Sequence, residues 1–289
     1  IGVTGVQTCA LPISVPTLLL SQLARRHVTV ALTGEGADEL FGGYPRYGWE
    51  WEVGKYEHYV PRFVARAGSA LLSRTGPRRY AKALRLLGQE RATRHQAYGT
   101  VFDRGLTPRP AVPMKDPVRQ LAYTEINSWL PDDLLMKVDK MSMAASLEAR
   151  CPFLDHVFAE MAFALPTGHK LRRGANKWIL RQAASKLLPA SITSREKHGF
   201  DLPMGRWLRD ELRPLLDDLL SPDALPRRGL MPAKIIAQIR EEHLTGHRDR
   251  AQQLWSLMCL EQWCRLYLDR NSPRSEEHTS ELQSRQYLV

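Results

Sequence analysis

The stretch VTVALTGEGADELFGGYPRY, Val28–Tyr47, drives a run of β-formers into a loop with four glycines, two glutamates and an aspartate. A continuous β-branched run suits a strand buried in a parallel sheet. Upstream, Leu18, Leu19, Leu20 and Leu23 fit a short helix over Thr17–Arg26 that ends in a basic turn. Helix, strand and glycine-rich loop make the αβ half of a doubly wound unit, whose ligands gather at the carboxyl ends of strands. Glycines let the backbone approach a ligand and take positive φ. Carboxylates in such a loop can hold a metal or act as a general base. Equally, Glu35, Asp38 and Glu39 can cap the positive end of the next helix. No G-K-[ST] follows and the acid spacing is not that of an EF-hand, so both of those ligand loops are excluded. The loop alone leaves cap and site open.

The rest of the composition narrows the class. The chain has 289 residues, 43% of them hydrophobic and 25% charged, which suits one large domain or two small ones. Its net charge is +10, but the basic residues are scattered and read as a generally basic surface rather than a nucleic-acid stripe. No apolar run approaches the roughly 20 residues of a membrane span. Val15–Leu20 lacks the flanks of a signal peptide. Cys9, Cys151, Cys259 and Cys264 form no C-x-x-C pair and read as reduced thiols.

After Tyr47 the pattern is helical, broken at Pro61, at RTGP and across the proline-rich Gly105–Pro117. PDDLLMKVDKMSMAASLEARCPFLDH predicts a helix running to Pro152. Leu134, Leu135, Val138, Met141 and Ala145 share its apolar face. Asp133, Lys137 and Lys140 lie opposite, with Asp133 and Lys137 spaced for a surface pair. The segment Gln252–Leu268 is apolar nearly all round and predicts a helix deep in a core.

Four segments, in order, resemble the glutamine-dependent asparagine synthetase family. LTGEGADELFGGY is similar to its SGEGADE-x-FGGY loop and KVDKMSMAASLEARCPFLDH to its D[KR]xSMAxxxExRxPFLD segment. NKWILRQAASKLLP is similar to its K-x-ILR…LP segment and SREKHGFDLP to its RxKxGFxxP loop. The resemblance implies an α/β fold of the PP-loop ATP pyrophosphatase type (adenine nucleotide alpha hydrolase-like). The parallel sheet is largely missing from this chain, and the retained part is mostly helical. It places a partial synthetase domain at residues 15–272. The ends, 1–14 and 273–289, look like non-native, adapter-derived tails.

The chemistry so implied is a carbon–nitrogen ligase reaction. Aspartate attacks the α-phosphate of ATP, pyrophosphate leaves, and ammonia converts the β-aspartyl adenylate to asparagine and AMP. Ammonia comes from glutamine in a separate amino-terminal glutaminase domain. By resemblance Glu35 takes the proton of the attacking ammonia, Asp38 holds Mg²⁺, and Lys197 faces the phosphates. Thr33 and Gly34 contact the nucleotide, while Glu39, Tyr44 and Lys137 line the substrate pocket. ATP and Mg²⁺ are the implied cofactors, the protein is cytoplasmic, and a homodimer is compatible. No membrane or nucleic-acid partner is expected. The family's SGGxDSS loop is absent from the 289 residues, so the chain alone is expected to be inactive. The loop and helix motifs also occur in amidotransferases that act on other carboxylates in exopolysaccharide or peptide modification. RNA-directed PP-loop enzymes fit the charge but not the EARCPFLD and REKHGF segments.

Overall fold

The computed structural model describes residues 13–75, 78–98, 101, 112–172, 175–195 and 202–269. The chain divides into two compact units, one within Ile13–Asp201 and one from Leu202 onward.

The first unit is mostly helical. It runs α1 (Ser14–Arg25), β1 (Val30–Leu32), α2 (Ala37–Phe41), α3 (Pro45–Tyr56), α4 (Arg62–Thr75), α5 (Arg78–Leu87) and α6 (Arg91–Ala97). Then come α7 (Pro117–Ile126), a π-helical turn (Leu130–Leu135) leading into α8 (Met136–Ala144), and β2 (Glu148–Arg150). The unit closes with α9 (His156–Ala164), α10 (Thr167–Lys170), α11 (Trp178–Ala184) and α12 (Ala190–Thr193). Asp116 caps α7 by accepting from the amides of Val118 and Arg119, and Pro117 starts the helix where its missing N–H costs nothing. Asp155 caps α9 through the Phe158 amide at 3.1 Å.

Within this unit the two strands pair in parallel, Val30 with Glu148, Ala31 with Ala149 and Leu32 with Arg150. Three expectations are corrected here. The strand after α1 is not buried: Leu32 is 73% exposed and Val28 and Val30 are exposed too. Burial of a parallel strand comes from layers on both faces, and among the described residues β1 has only β2 beside it. The helix predicted to run to Pro152 ends at Ala144 instead. Ser146 turns left-handed (φ 56°), and the Leu147 amide returns to the Ser142 carbonyl at 2.9 Å. The next three residues become β2, too short to carry a period-two signal. Finally, Asp133 and Lys137 are both buried rather than a surface pair, whereas Lys140 is exposed as expected. Leu134 and Val138 are buried beside them, so the inner face is wider than its apolar residues alone.

A charged cluster ties α3 to α6. Arg94, fully buried, donates through Nε and Nη2 to Glu50 (2.9 and 2.5 Å), through Nη2 to Glu57 (2.8 Å), and through Nη1 to the Leu86 carbonyl (3.1 Å). Arg91 reaches the other Glu57 oxygen at 2.7 Å, and His95 lies 3.2 Å from Glu50. Burial alone would raise the Glu50 pKa, but the bonds from His95 and Arg94 outweigh it and hold the carboxyl low.

In the second unit, α13 (Met204–Trp207), α14 (Arg213–Leu219), α15 (Ala233–Leu244) and α16 (Ala251–Tyr267) follow one another. Helix α16 is one-sided rather than deeply buried. Leu254, Leu257, Met258, Glu261 and Cys264 form its inner stripe, while Leu266 and Tyr267 are exposed. Glu261 can be buried because Arg228 and Arg265 both donate to it.

Removing one member of a buried, bidentate pair leaves the other charge without compensation. Arg94→Ala therefore lowers the unfolding free energy by about 3–5 kcal/mol in denaturant titration at neutral pH. A carboxylate with a lowered folded pKa stabilises above the ordinary carboxylate range and loses that contribution as pH falls through the folded value. The deficit of Arg94→Ala thus shrinks on acidification. A deficit that is constant with pH would contradict this assignment of Glu50.

Candidate active site

The glycine-rich loop is built where the two strands end. The ladder continues past β1 to Thr33, whose N–H donates to the Arg150 carbonyl at 2.8 Å. Thr33 Oγ1 lies 3.2 Å from Cys151 Sγ, a residue 118 positions away. Gly36 is left-handed (φ 87°), and a Cβ there would fall 2.2 Å from Leu154 Cδ2. Only glycine meets both demands. The chain leaves the loop through α2, whose Leu40 and Phe41 pack with Ala162 against Phe153 and Phe158. Phe41 meets Phe153 edge-on at 6.2 Å between centroids, within the range aromatic pairs favour. The loop is therefore gripped on entry by β2 and on exit by the PFLDHVF segment.

Its open side carries Gly34, Glu35 and Asp38. Gly34 is exposed, and a Cβ on it would meet nothing within 4 Å. Glu35 is half-buried between the two glycines. Asp38, partly exposed, lies 3.0 Å from Lys177 Nζ. A Cβ on Gly43 would come within 1.7 Å of Asp38 Oδ1, so glycine at 43 makes the room for that carboxylate. Asn176 Nδ2 donates to the carbonyls of Gly43 (3.1 Å) and Tyr44 (3.3 Å). Lys177 itself is left-handed (φ 54°), a conformation that costs a non-glycine residue about 1–2 kcal/mol. The strain delivers an ammonium to Asp38.

Beneath the loop lies a buried polar array. Tyr44 Oη donates to Glu39 Oε1 at 2.8 Å, and the Arg46 guanidinium covers the Tyr44 ring at 4.2 Å. Arg46 pairs with Glu125, which accepts from Tyr47 Oη at 2.5 Å. Tyr44 and Tyr47 stack at 6.2 Å. Burial raises the Glu39 pKa against the opposing Tyr44 bond, and burial raises Glu125 against the opposing Arg46 charge. Both tyrosines are pushed upward, first by burial and next by the adjacent carboxylates, so they remain donors.

The structure brings together Thr33, Gly34, Glu35, Asp38, Glu39 and Tyr44. Lys137 is buried on α8 and has Asp133 as its charged neighbour. Burial pushes the Asp133 carboxyl up to about 7 despite Lys137. Lys197 lies outside the described residues. Sequence reasoning missed Asn176 and Lys177 as site residues, although both stand in the NKWILR segment. It also missed Arg46 and Glu125, for which no short motif exists. Among the described residues, no group of three or more His, Cys, Asp or Glu side chains is placed to hold a metal ion. A single carboxylate facing a cation nevertheless fits Mg²⁺ carried in on phosphates, its usual mode of binding. The Lys177 ammonium, 3.0 Å from Oδ1, shows that the Asp38 carboxylate accepts a positive partner.

Comparison with known proteins assigns the family. The sequence profile described as asparagine synthase matches residues 6–265, and the chain belongs to that family. It is 29% identical over 275 residues to asparagine synthetase [glutamine-hydrolyzing] 1 of Bacillus subtilis (strain 168), covering 87% of this chain and 43% of that protein. A Mycobacterium tuberculosis (strain H37Rv) protein provisionally named asparagine synthetase [glutamine-hydrolyzing] is 30% identical over 279 residues, 89% of this chain and 42% of its own. A protein named amidase chry2 from Gibberella zeae is 22% identical over 247 residues, 71% of this chain and 36% of its own. The chain thus spans less than half the length of these relatives.

The grip of Leu154 on the loop is testable by a double-mutant cycle. Gly36→Ala destabilises by about 2–4 kcal/mol, from the left-handed φ plus the clash. In the Leu154→Ala background the clash part disappears, so the two changes are less than additive in chemical denaturation. Strict additivity would show that Leu154 does not hold the turn.

Proposed function

We propose that residues 13–269 form part of the synthetase half of a glutamine-dependent asparagine synthetase with a PP-loop fold, working in the cytoplasm. The observation that carries this reading is the loop itself. An open glycine backbone, Glu35 and Asp38 are held at the end of a parallel strand, as adenylate chemistry requires.

In the proposed reaction an aspartate carboxylate oxygen attacks the α-phosphorus of ATP and the bond to pyrophosphate breaks. Backbone at Thr33–Gly34 lies against the nucleotide, where the absent Cβ permits close approach. Asp38 would hold Mg²⁺, which when bound supplies charge neutralisation for the departing pyrophosphate. Lys177, steered by its left-handed backbone and by Asn176, keeps Asp38 in place before the nucleotide arrives, and Lys197 is proposed to face the phosphates. Ammonia released from glutamine then attacks the acyl carbon. Glu35 takes the proton the nitrogen sheds, and the C–O bond to AMP breaks. Glu39 and Tyr44, bonded to each other, fix the pocket wall beneath the loop, and Lys137 is proposed near the acceptor. The alternative acceptor is another carboxylic acid, which carboxylate-dependent exchange assays separate from aspartate.

The two half-reactions divide the roles. The 289-residue chain alone gives no aspartate-dependent ATP–pyrophosphate exchange, whereas a longer polypeptide containing it does. In that longer protein Glu35→Gln leaves exchange largely intact and slows amide formation by about 10²–10⁴-fold, the usual worth of a general base. Equal loss of both activities would remove Glu35 from the proton-transfer role.

A further inference from the structure

Residues 61–89, PRFVARAGSALLSRTGPRRYAKALRLLGQ, contain seven Arg and Lys and no Asp or Glu, within a chain of net charge +10. Nearly all of them belong to α4 and α5, which pack on each other. Ala65, Leu86 and Leu87 bury their side chains with Val53 of α3, and Arg66 Nε donates to the Gly88 carbonyl at 2.8 Å. The pair is thus anchored on one side. On the other side Phe63 is 74% and Leu71 65% exposed, Val64 is exposed, and Tyr59 just before α4 is 82% exposed.

At about 100° per residue, Phe63, Val64, Ala67 and Leu71 share one sector of α4 roughly 100° wide. Arg62 and Arg66, both exposed, border its Phe63 edge. A contiguous apolar stripe of this kind marks an interaction surface, and its surroundings select the partner. A second copy of the same acid-free segment would be repelled. A nucleic acid would match the charge but has no use for aliphatic Val64 and Leu71, since single strands are held by stacking on aromatic rings in a basic groove. An anionic bilayer matches both features, because negative headgroups overlie hydrocarbon.

We propose that the α4–α5 pair docks on membranes rich in anionic phospholipid. Tyr59, Phe63 and Leu71 enter the headgroup–acyl boundary, and Arg62 lies over the phosphates. No helix among the described residues is long and apolar enough to cross a membrane; an interfacial helix lies in the membrane surface and needs no such length.

The test is co-sedimentation of the purified 289-residue chain with phosphatidylcholine vesicles, with and without phosphatidylglycerol. Binding is expected to be about tenfold or more stronger on the anionic vesicles and to weaken with salt. Phe63→Ser combined with Leu71→Ser should reduce it by about tenfold at unchanged circular dichroism, because the stripe contributes apolar burial. Arg62→Glu should weaken it separately. Equal binding to both vesicle types would overturn the proposal. So would full retention in the double serine variant, or a preference for homopolymeric RNA over the vesicles.

Discussion

Everything at the candidate site depends on one short parallel pairing, three residues of β1 against three of β2. It places Thr33 beside Arg150 and Cys151, and so sets TGEG against EARCPFLD across 118 positions of chain. Parallel strands cannot be joined by a tight turn; the helices between them are the crossover that this pairing demands. Once β2 is fixed, Leu154 closes on Gly36, and Phe153 and Phe158 close on Phe41. Three separate sequence motifs are thereby parts of one object, because the third, NKWILR, reaches back through Asn176 and Lys177 to the same loop.

The loop's own chemistry rests on support that is polar and buried. Glu39 and Glu125 are carboxylates in the interior, which is costly unless they are bonded. Tyr44, Tyr47 and Arg46 supply those bonds, so the array under the loop has few alternative arrangements. Further along α3, Glu50 and Arg94 continue the same strategy. Such pairs add little net stability over apolar packing, but breaking them is expensive. That asymmetry suits a base that must hold Glu35 and Asp38 in a fixed direction.

Much of this was legible in the sequence. The strand, the loop and the break at Pro61 follow from local chemistry, and Glu35 and Asp38 stand out as acids among glycines. What could not be read is what pairing and register decide. A three-residue strand at Glu148–Arg150 has no pattern of its own and exists through β1. Asp133 and Lys137 lie in the interior beside Leu134 and Val138, on a buried face wider than the apolar pattern marked. Lys177 was visible as a letter in a motif, but its role comes from a left-handed backbone that no spacing rule announces. The acid-free stretch from Pro61 to Gln89 looked like scattered charge until the helix geometry set a stripe of apolar side chains beside it.

The central claim is that the loop serves acyl adenylation followed by attack of ammonia. It is tested most directly with aspartate carrying ¹⁸O in its side-chain carboxylate, turned over by a longer polypeptide that contains this chain. If the carboxylate oxygen attacks the α-phosphorus, that oxygen remains on phosphorus when the C–O bond breaks, and mass spectrometry finds the label in AMP. Label in inorganic phosphate, or AMP without label, would contradict the account.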